Sequence, residues 1–267
     1  MPTVSTNGIT LYYEEQGDGP PLVCIMGITA PGSVWQLHVE DWSERFRCIT
    51  PDNRGVGRSD MPLGPYTSEM MADDYAGLMD ALGIVAARVI GCSMGAAIAQ
   101  QLALRYPPKV RSLVLMCPWA RCDRYAMAIF EHLRHIKARL TPTEFVNYLQ
   151  LLIFTKRHWD DDQAYAEMLE ARRLAAEDPR QQPLHALEAQ AEACMRHHTL
   201  DRLGEIGCPT LVIGGEEDIF TPRWMAEEIA ARIPQCELHL YKNAGHAFHW
   251  ECLDDFNPRI AQWFAAH

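Results

Sequence analysis

Six short apolar runs separated by helix-patterned stretches constrain the fold of this chain more than any other feature. They cover residues 22–26, 48–50, 89–91, 113–116, 211–213 and 238–241. Unalternated runs of this length, bounded by Gly, Pro and Asp, read as strands buried on both faces. Helices between them imply βαβ units, hence a mostly parallel sheet flanked by helices. The N-terminal Gly8-Ile9-Thr10-Leu11-Tyr12-Tyr13 alternates partly and leads to the turn-rich Gln16-Gly17-Asp18-Gly19-Pro20, as an antiparallel edge hairpin would.

The helices between the runs carry their own signals. Met71, Tyr75, Leu78, Met79 and Leu82 form one face of a helix entered through Thr67 or Ser68, with Glu69 in its first turn. Thr221-Pro222 reads as an N-cap followed by proline at the first helical position. Pro107-Pro108 stops the helix that begins at Ala96.

The alternation breaks between Trp119 and Gly204. Helical patterns at 124–140, 144–154, 162–177 and 184–198 follow one another there with no plausible strand. The expected organisation is a core of residues 1–118 and 205–267, with an all-helical cap, residues 119–204, over the C-terminal edge of the sheet. Open α/β sheets place their ligands at that edge.

Gly91-Cys92-Ser93-Met94-Gly95 lies where the third run gives way to a helix. A serine between glycines on a strand-to-helix turn is held in strained backbone geometry with its hydroxyl clear of the sheet. The helix N-terminus behind it favours developing negative charge. Such a nucleophile needs a base, and the base needs an orienting acid. Gly214-Gly215-Glu216-Glu217-Asp218 follows the fifth run and offers three carboxylates at a strand end. Asn243-Ala244-Gly245-His246 follows the sixth and offers a histidine in the equivalent place, with His249 its nearest competitor. Nucleophile, acid and base thus occupy three strand ends in one chain order. The bland alternatives are an N-cap serine, a turn carboxylate and a loop histidine.

These features together resemble the α/β-hydrolase superfamily of the alpha/beta-hydrolase-1 type, over essentially the whole chain. The segment Asp52-Asn53-Arg54-Gly55-Val56-Gly57-Arg58-Ser59 is similar to the family's D-x-R-G-x-G-x-S loop, and Ala244-Gly245-His246 to its histidine loop. The resemblance implies an eight-stranded sheet with a helical cap. It implies Ser93 as nucleophile, His246 as base and, by the G-x-x-D spacing, Asp218 as acid. The backbone N–H groups of Ile28 and Met94 would form the oxyanion hole. Met26 departs from the family by standing where a histidine is usual, which puts the hydrogen bonding of that loop in question. The Asp52–Ser59 glycines and Arg54 are expected to be structural.

A serine hydrolase cleaving esters of small or medium acyl substrates through an acyl-enzyme is therefore expected, with no cofactor and no metal. A lactonase or enol-lactonase and a C–C bond hydrolase share the same triad, and perhydrolysis could accompany ester cleavage. A non-catalytic small-molecule receptor is the alternative of a different class. Gly27, Trp119, Phe220 and Phe248 are candidate pocket residues, although such aromatics are commonly core. The pair His132/His135 has no carboxylate at metal-ligand spacing. A formal charge of −11 argues against nucleic acid as partner. No apolar run approaches the ~20 residues that span a bilayer. The nine cysteines contain no C-x-x-C pair and read as free thiols of a cytoplasmic protein, monomer or homodimer, with no signal segment.

Overall fold

The computed structural model describes residues 2–267. The chain opens with a hairpin, β1 (Thr3–Thr6) and β2 (Ile9–Gln16), turned at Asn7-Gly8. Both turn residues have positive φ, 46° and 77°, as the tight hairpin turn whose twist matches its strands requires. This turn lies one strand earlier than the Gln16–Pro20 segment, which instead leads β2 into β3 (Pro21–Ile25).

The chain then continues through α1 (Gln36–Trp42), β4 (Arg47–Pro51), α2 (Ser68–Ala81), β5 (Ala87–Cys92), α3 (Met94–Arg105) and β6 (Val110–Met116). The inserted helices follow: α4 (Arg124–Lys137), α5 (Pro142–Ile153), α6 (Lys156–Trp159), α7 (Asp162–Glu177) and α8 (Leu184–Arg196). The core resumes with β7 (Thr210–Gly215), α9 (Arg223–Ala230), β8 (Cys236–Tyr241), α10 (Phe248–Glu251) and α11 (Leu253–Ala266). No named strand interrupts the inserted stretch, but an antiparallel bridge between Arg121 and His198 ties its entry to its exit.

One eight-stranded sheet has the order β1-β2-β4-β3-β5-β6-β7-β8. Only the β1–β2 and β2–β4 pairings are antiparallel. The central strands β3, β5 and β6 are buried almost throughout because helices cover both faces. One face packs against α2, α3 and α9 through Met71, Tyr75, Ile98, Leu102 and Ile229. The other packs against α1 and α11 through Trp35, Trp42, Phe256, Ile260 and Phe264. Thr67 caps α2 by accepting from the Met70 N–H.

Arg54 has a structural role. Its guanidinium donates to both oxygens of Asp74 at 2.6 and 2.5 Å, and both side chains are buried. Asp52 accepts from the Gly32 and Arg58 N–H groups, each at 2.7 Å, and so folds the 52–59 loop onto the residues after β3. All nine cysteines are unpaired, with Cys92 and Cys117 in sulfur contact at 3.7 Å. Among the described residues no helix is long and apolar enough to cross a membrane.

Candidate active site

Ser93 follows β5 directly and precedes α3 with φ 55° and ψ −117°, a conformation a non-glycine residue adopts only when its surroundings enforce it. The enforcement is visible. Its N–H donates to the Met116 carbonyl at 2.9 Å, and its own carbonyl accepts from Ala96 and Ala97. A side chain at Gly95 would place Cβ 2.1 Å from the Ile25 carbonyl oxygen, and one at Gly91 would place it 2.3 Å from that of Gly95. The elbow therefore needs glycine at both positions because backbone passes directly against backbone.

Asp218 follows β7, and its two oxygens are fully engaged. Oδ1 accepts from the Phe220 and Thr221 N–H groups at 2.7 and 2.9 Å. Oδ2 accepts from the Thr221 hydroxyl at 2.7 Å and lies 2.8 Å from His246 Nδ1. Of the three carboxylates in the acid slot, Asp218 is the one that contacts His246; Glu216 faces Arg223 instead. Burial opposes protonation of His246, but the Asp218 charge and its hydrogen bond outweigh that, so its pKa is raised above the ordinary histidine value. With Nδ1–H held by the carboxylate, the neutral ring carries its lone pair on Nε2, as a general base requires.

Ser93, Asp218 and His246 are all buried and share one edge of the sheet. The carbonyl of Cys117 lies 3.2 Å from the Thr221 hydroxyl oxygen, one residue beyond the Met116 carbonyl that fixes Ser93. Among the described residues His246 Nδ1 pairs with Asp218 and lies near the Thr221 hydroxyl, and the Ser93 hydroxyl is not among the partners of the ring. His249, the rival base, points elsewhere. Its Nδ1 lies 2.9 Å from Nε2 of buried His38.

Gly27 lies against the serine: a Cβ there would sit 3.3 Å from Ser93 Cβ. Ile28 follows it in the loop after β3, and Met94 opens α3, where the first N–H groups have no partner within the helix. Among the described residues neither the Ile28 nor the Met94 N–H has a hydrogen-bond partner.

Phe220 packs edge-on to the His246 ring at 4.9 Å, and Phe130 of α4 packs on Phe220 at 5.4 Å. Trp119 joins this wall through Phe130, with its buried indole N–H unpaired. Phe248 does not join it. Its ring stacks on Tyr241 and meets Phe256 and His249, so it belongs to the core on the α11 side of the sheet rather than to a pocket.

Three contributors are not evident from sequence patterns. The sequence pattern places Thr221 as a helix cap, but α9 starts at Arg223 with Pro222 at its cap, and the threonine hydroxyl serves Asp218. The spacing Asp218-Ile219-Phe220-Thr221 is itself a turn signal, since aspartate tends to bond backbone N–H groups just ahead of it. Glu251 accepts from the N–H of Gly245 at 2.6 Å and from the N–H and hydroxyl of Thr155 at 2.7 and 2.9 Å, tying the histidine turn to the inserted helices. Gln190 accepts from the Thr29 N–H at 3.1 Å. The last two reach across long stretches of chain and leave no local signature. A groove of about 660 Å³ lined by Thr155, Lys242, Asn243 and Glu251 touches none of Ser93, Asp218 and His246. Among the described residues no group of three or more His, Cys, Asp or Glu is placed to hold a metal ion.

Known proteins are similar to this chain along nearly its whole length. The RutD protein of Azorhizobium caulinodans, provisionally named a carbamate hydrolase, is 30% identical over 97% of both chains. The crystal structure of BpoC from Mycobacterium tuberculosis, provisionally named a non-heme bromoperoxidase, superposes with TM-score 0.87 at 31% identity over 96% of each chain. A thermophilic esterase from Thermogutta terrifontis superposes with TM-score 0.85 at 28% identity, covering 99% of this chain and 96% of its own. The family model for the alpha/beta hydrolase fold matches residues 20–252, and the chain belongs to that family.

Proposed function

We propose that this protein is a serine hydrolase that cleaves carboxylic esters of small or medium acyl substrates through an acyl-enzyme. The observation that carries the reading is the buried Asp218–His246 pair at 2.8 Å, set on the same sheet edge as a serine held at φ 55°.

Ser93 Oγ attacks the ester carbonyl as His246 Nε2 takes its proton. Asp218 keeps the proton of Nδ1 in place and stabilises the imidazolium as it forms. Charge developing on the carbonyl oxygen falls to the N–H groups of Ile28 and Met94, aided by the positive end of α3. His246 returns its proton to the leaving alcohol. Water then enters and attacks the acyl carbonyl as His246 takes its proton; His246 returns that proton to Ser93 Oγ as the C–O bond to serine breaks and the acid leaves. The apolar wall of Phe130 and Phe220 would face the acyl group, favouring short uncharged chains.

A second reading draws on the RutD relative, provisionally named a carbamate hydrolase. A carbamate carbonyl would use the same nucleophile, base and oxyanion donors, with a carbamoyl-enzyme in place of the acyl-enzyme.

The test is turnover of p-nitrophenyl esters from acetate to palmitate, beside a p-nitrophenyl carbamate, by the wild type and Ser93→Ala. The expected result is a preference for short esters and a loss of roughly 10³-fold or more in the variant. Faster turnover of the carbamate favours the second reading. Equal inactivity of both proteins on every substrate sinks both readings, and a preference for palmitate overturns the size limit.

A further inference from the structure

We propose that Gln190, on α8 of the inserted helices, is a positioning residue for the oxyanion loop, holding the second backbone donor from outside the sheet. The proposal rests on the serine-hydrolase reading above and explains how the loop is kept in place where Met26 stands in the family's histidine position.

The hydrogen bonds around Gln190 have only one consistent direction. Its Nε2 donates to the Arg54 carbonyl at 2.9 Å, which fixes the other end of the amide as the acceptor. Oε1 then accepts from two donors, the Thr29 N–H at 3.1 Å and Gln182 Nε2 at 2.9 Å. Gln182 Nε2 also reaches the Gly55 carbonyl at 2.8 Å. Gln190 is fully buried and belongs to a chain element that begins far from Thr29 in sequence. A buried amide is costly unless bonded, so its placement is set by these partners rather than by packing alone.

Thr29 needs such a partner. Its φ is 68°, in the left-handed region that β-branched residues rarely adopt. Conformations of this kind persist where surrounding contacts over-determine them. At the other end of the same loop, Asn53 Nδ2 donates to the Met26 carbonyl at 2.8 Å and is itself held by the Tyr75 hydroxyl. The segment Met26-Gly27-Ile28-Thr29 is therefore gripped at both ends. Asn53 holds the end at Met26, whose thioether offers no N–H donor to the loop. Gln190 holds the end next to the Ile28 N–H. Arg54, locked to Asp74, anchors the far side of the Gln190 amide.

This arrangement makes the hole conditional on seating of the inserted helices. If α8 withdraws, the Thr29 N–H loses its acceptor, and Ile28 loses the restraint on its N–H direction.

The test is inactivation by an alkyl fluorophosphonate, which needs an activated serine and an oxyanion hole but no particular ester. Gln190→Leu removes both functions of the amide. Its saturating inactivation rate is expected to fall about 10- to 100-fold, with the half-saturating concentration moving less than about threefold, because the donor matters chiefly once charge develops. The kcat and KM for p-nitrophenyl acetate should split in the same way. Gln190→Glu restores an acceptor for Thr29 but sets its second oxygen against the Arg54 carbonyl, so it should recover only part of the loss. Gln182→Ala, which leaves the Thr29 bond in place but removes its support, should slow inactivation by about 3- to 10-fold. An unchanged rate in Gln190→Leu, or a loss that falls on the half-saturating concentration instead of the saturating rate, overturns the proposal. Should Gln190→Leu not fold, an unchanged rate in Gln182→Ala overturns it as well. Failure of the underlying reading looks different: the wild type itself would resist the probe and match Ser93→Ala.

Discussion

At the residue scale the candidate site depends on how completely Asp218 is bonded. Four donors converge on its two oxygens, and one of them is the base. Asp218→Asn preserves shape but offers an N–H where His246 needs an acceptor, turning the ring to the wrong tautomer. A loss in kcat of about 10³- to 10⁴-fold is expected in steady-state ester hydrolysis, with KM little changed. Thr221→Val removes one donor and should cost about 10-fold. The pH profile should follow His246, which must be neutral to act. Because its pKa is raised, the rise of kcat/KM with pH should be centred above the ordinary histidine value of 6.5, and a limb centred below it would contradict the assignment. Ser93, Asp218 and His246 stand out in the sequence as candidates because each sits in a short local pattern at a strand end. The choice of Asp218 over Glu216 and Glu217 needed family spacing. Thr221 and Gln190 were not legible, since their roles are defined by partners that only folding brings near.

At the element scale the inserted helices are fastened to the sheet at separate points. Ser68 at the start of α2 meets His197 Nδ1 at 3.0 Å, just beyond the end of α8. The Thr199 hydroxyl donates to Gln100 Oε1 of α3 at 2.6 Å. The Ala247 N–H reaches the Ile153 carbonyl at the end of α5, beside the Glu251 bonds to Thr155. Glu251→Ala would strand the Gly245 and Thr155 N–H groups. It should destabilise the protein by roughly 2–4 kcal/mol in a denaturant titration, since each charged hydrogen bond contributes about 1.5–3 kcal/mol and these are only partly buried. A midpoint equal to wild type would contradict the linking role. The helices of this region were legible from periodicity, and α7 matches its sequence pattern at both ends. The Arg121–His198 bridge and the edge-turn position were not, because a two-residue turn at Asn7-Gly8 competes locally with the richer Gln16–Pro20 cluster.

At the scale of the whole molecule, a polar chain crosses the apolar face packed by α1 and α11. His38 Nδ1 lies 2.6 Å from Asn257 Oδ1, whose Nδ2 donates to Asp41 at 2.6 Å. That direction makes His38 Nδ1 the donor and leaves Nε2 to accept from His249. Both rings are buried neutral. Burial lowers His38 to about 4, against the raising effect of Asn257 and Asp41, and burial with the neighbouring histidines lowers His249 well below its usual value. Burial likewise lowers His197 to about 3. Unfolding frees these rings to titrate near 6.5, so below that pH the unfolded chain binds more protons and stability falls. His246 acts in the opposite sense, with stability present below 6.5 and lost as pH rises through its raised pKa, but it is one group against three. Denaturant unfolding should show a decline between about pH 6.5 and 5, on the order of 2 kcal/mol per buried histidine. A flat profile would contradict the neutral assignment. Legible from the sequence at this scale were the parallel sheet and the helical insertion, through apolar runs and their spacing. The aromatic wall was legible only in part: of the candidate pocket aromatics, Phe220 packs against the His246 ring, whereas Phe248 packs on the other side of the sheet.

The central claim is that Ser93 carries the acyl group between the two halves of the reaction. Mass analysis of the protein quenched during turnover of p-nitrophenyl acetate tests it most directly. The account predicts one acetyl group on the peptide containing Ser93, accumulating further in Asp218→Asn if deacylation is slowed more than acylation, and absent in Ser93→Ala. Turnover without any adduct on that peptide, or an acetyl group elsewhere that persists in Ser93→Ala while activity is retained, would contradict it.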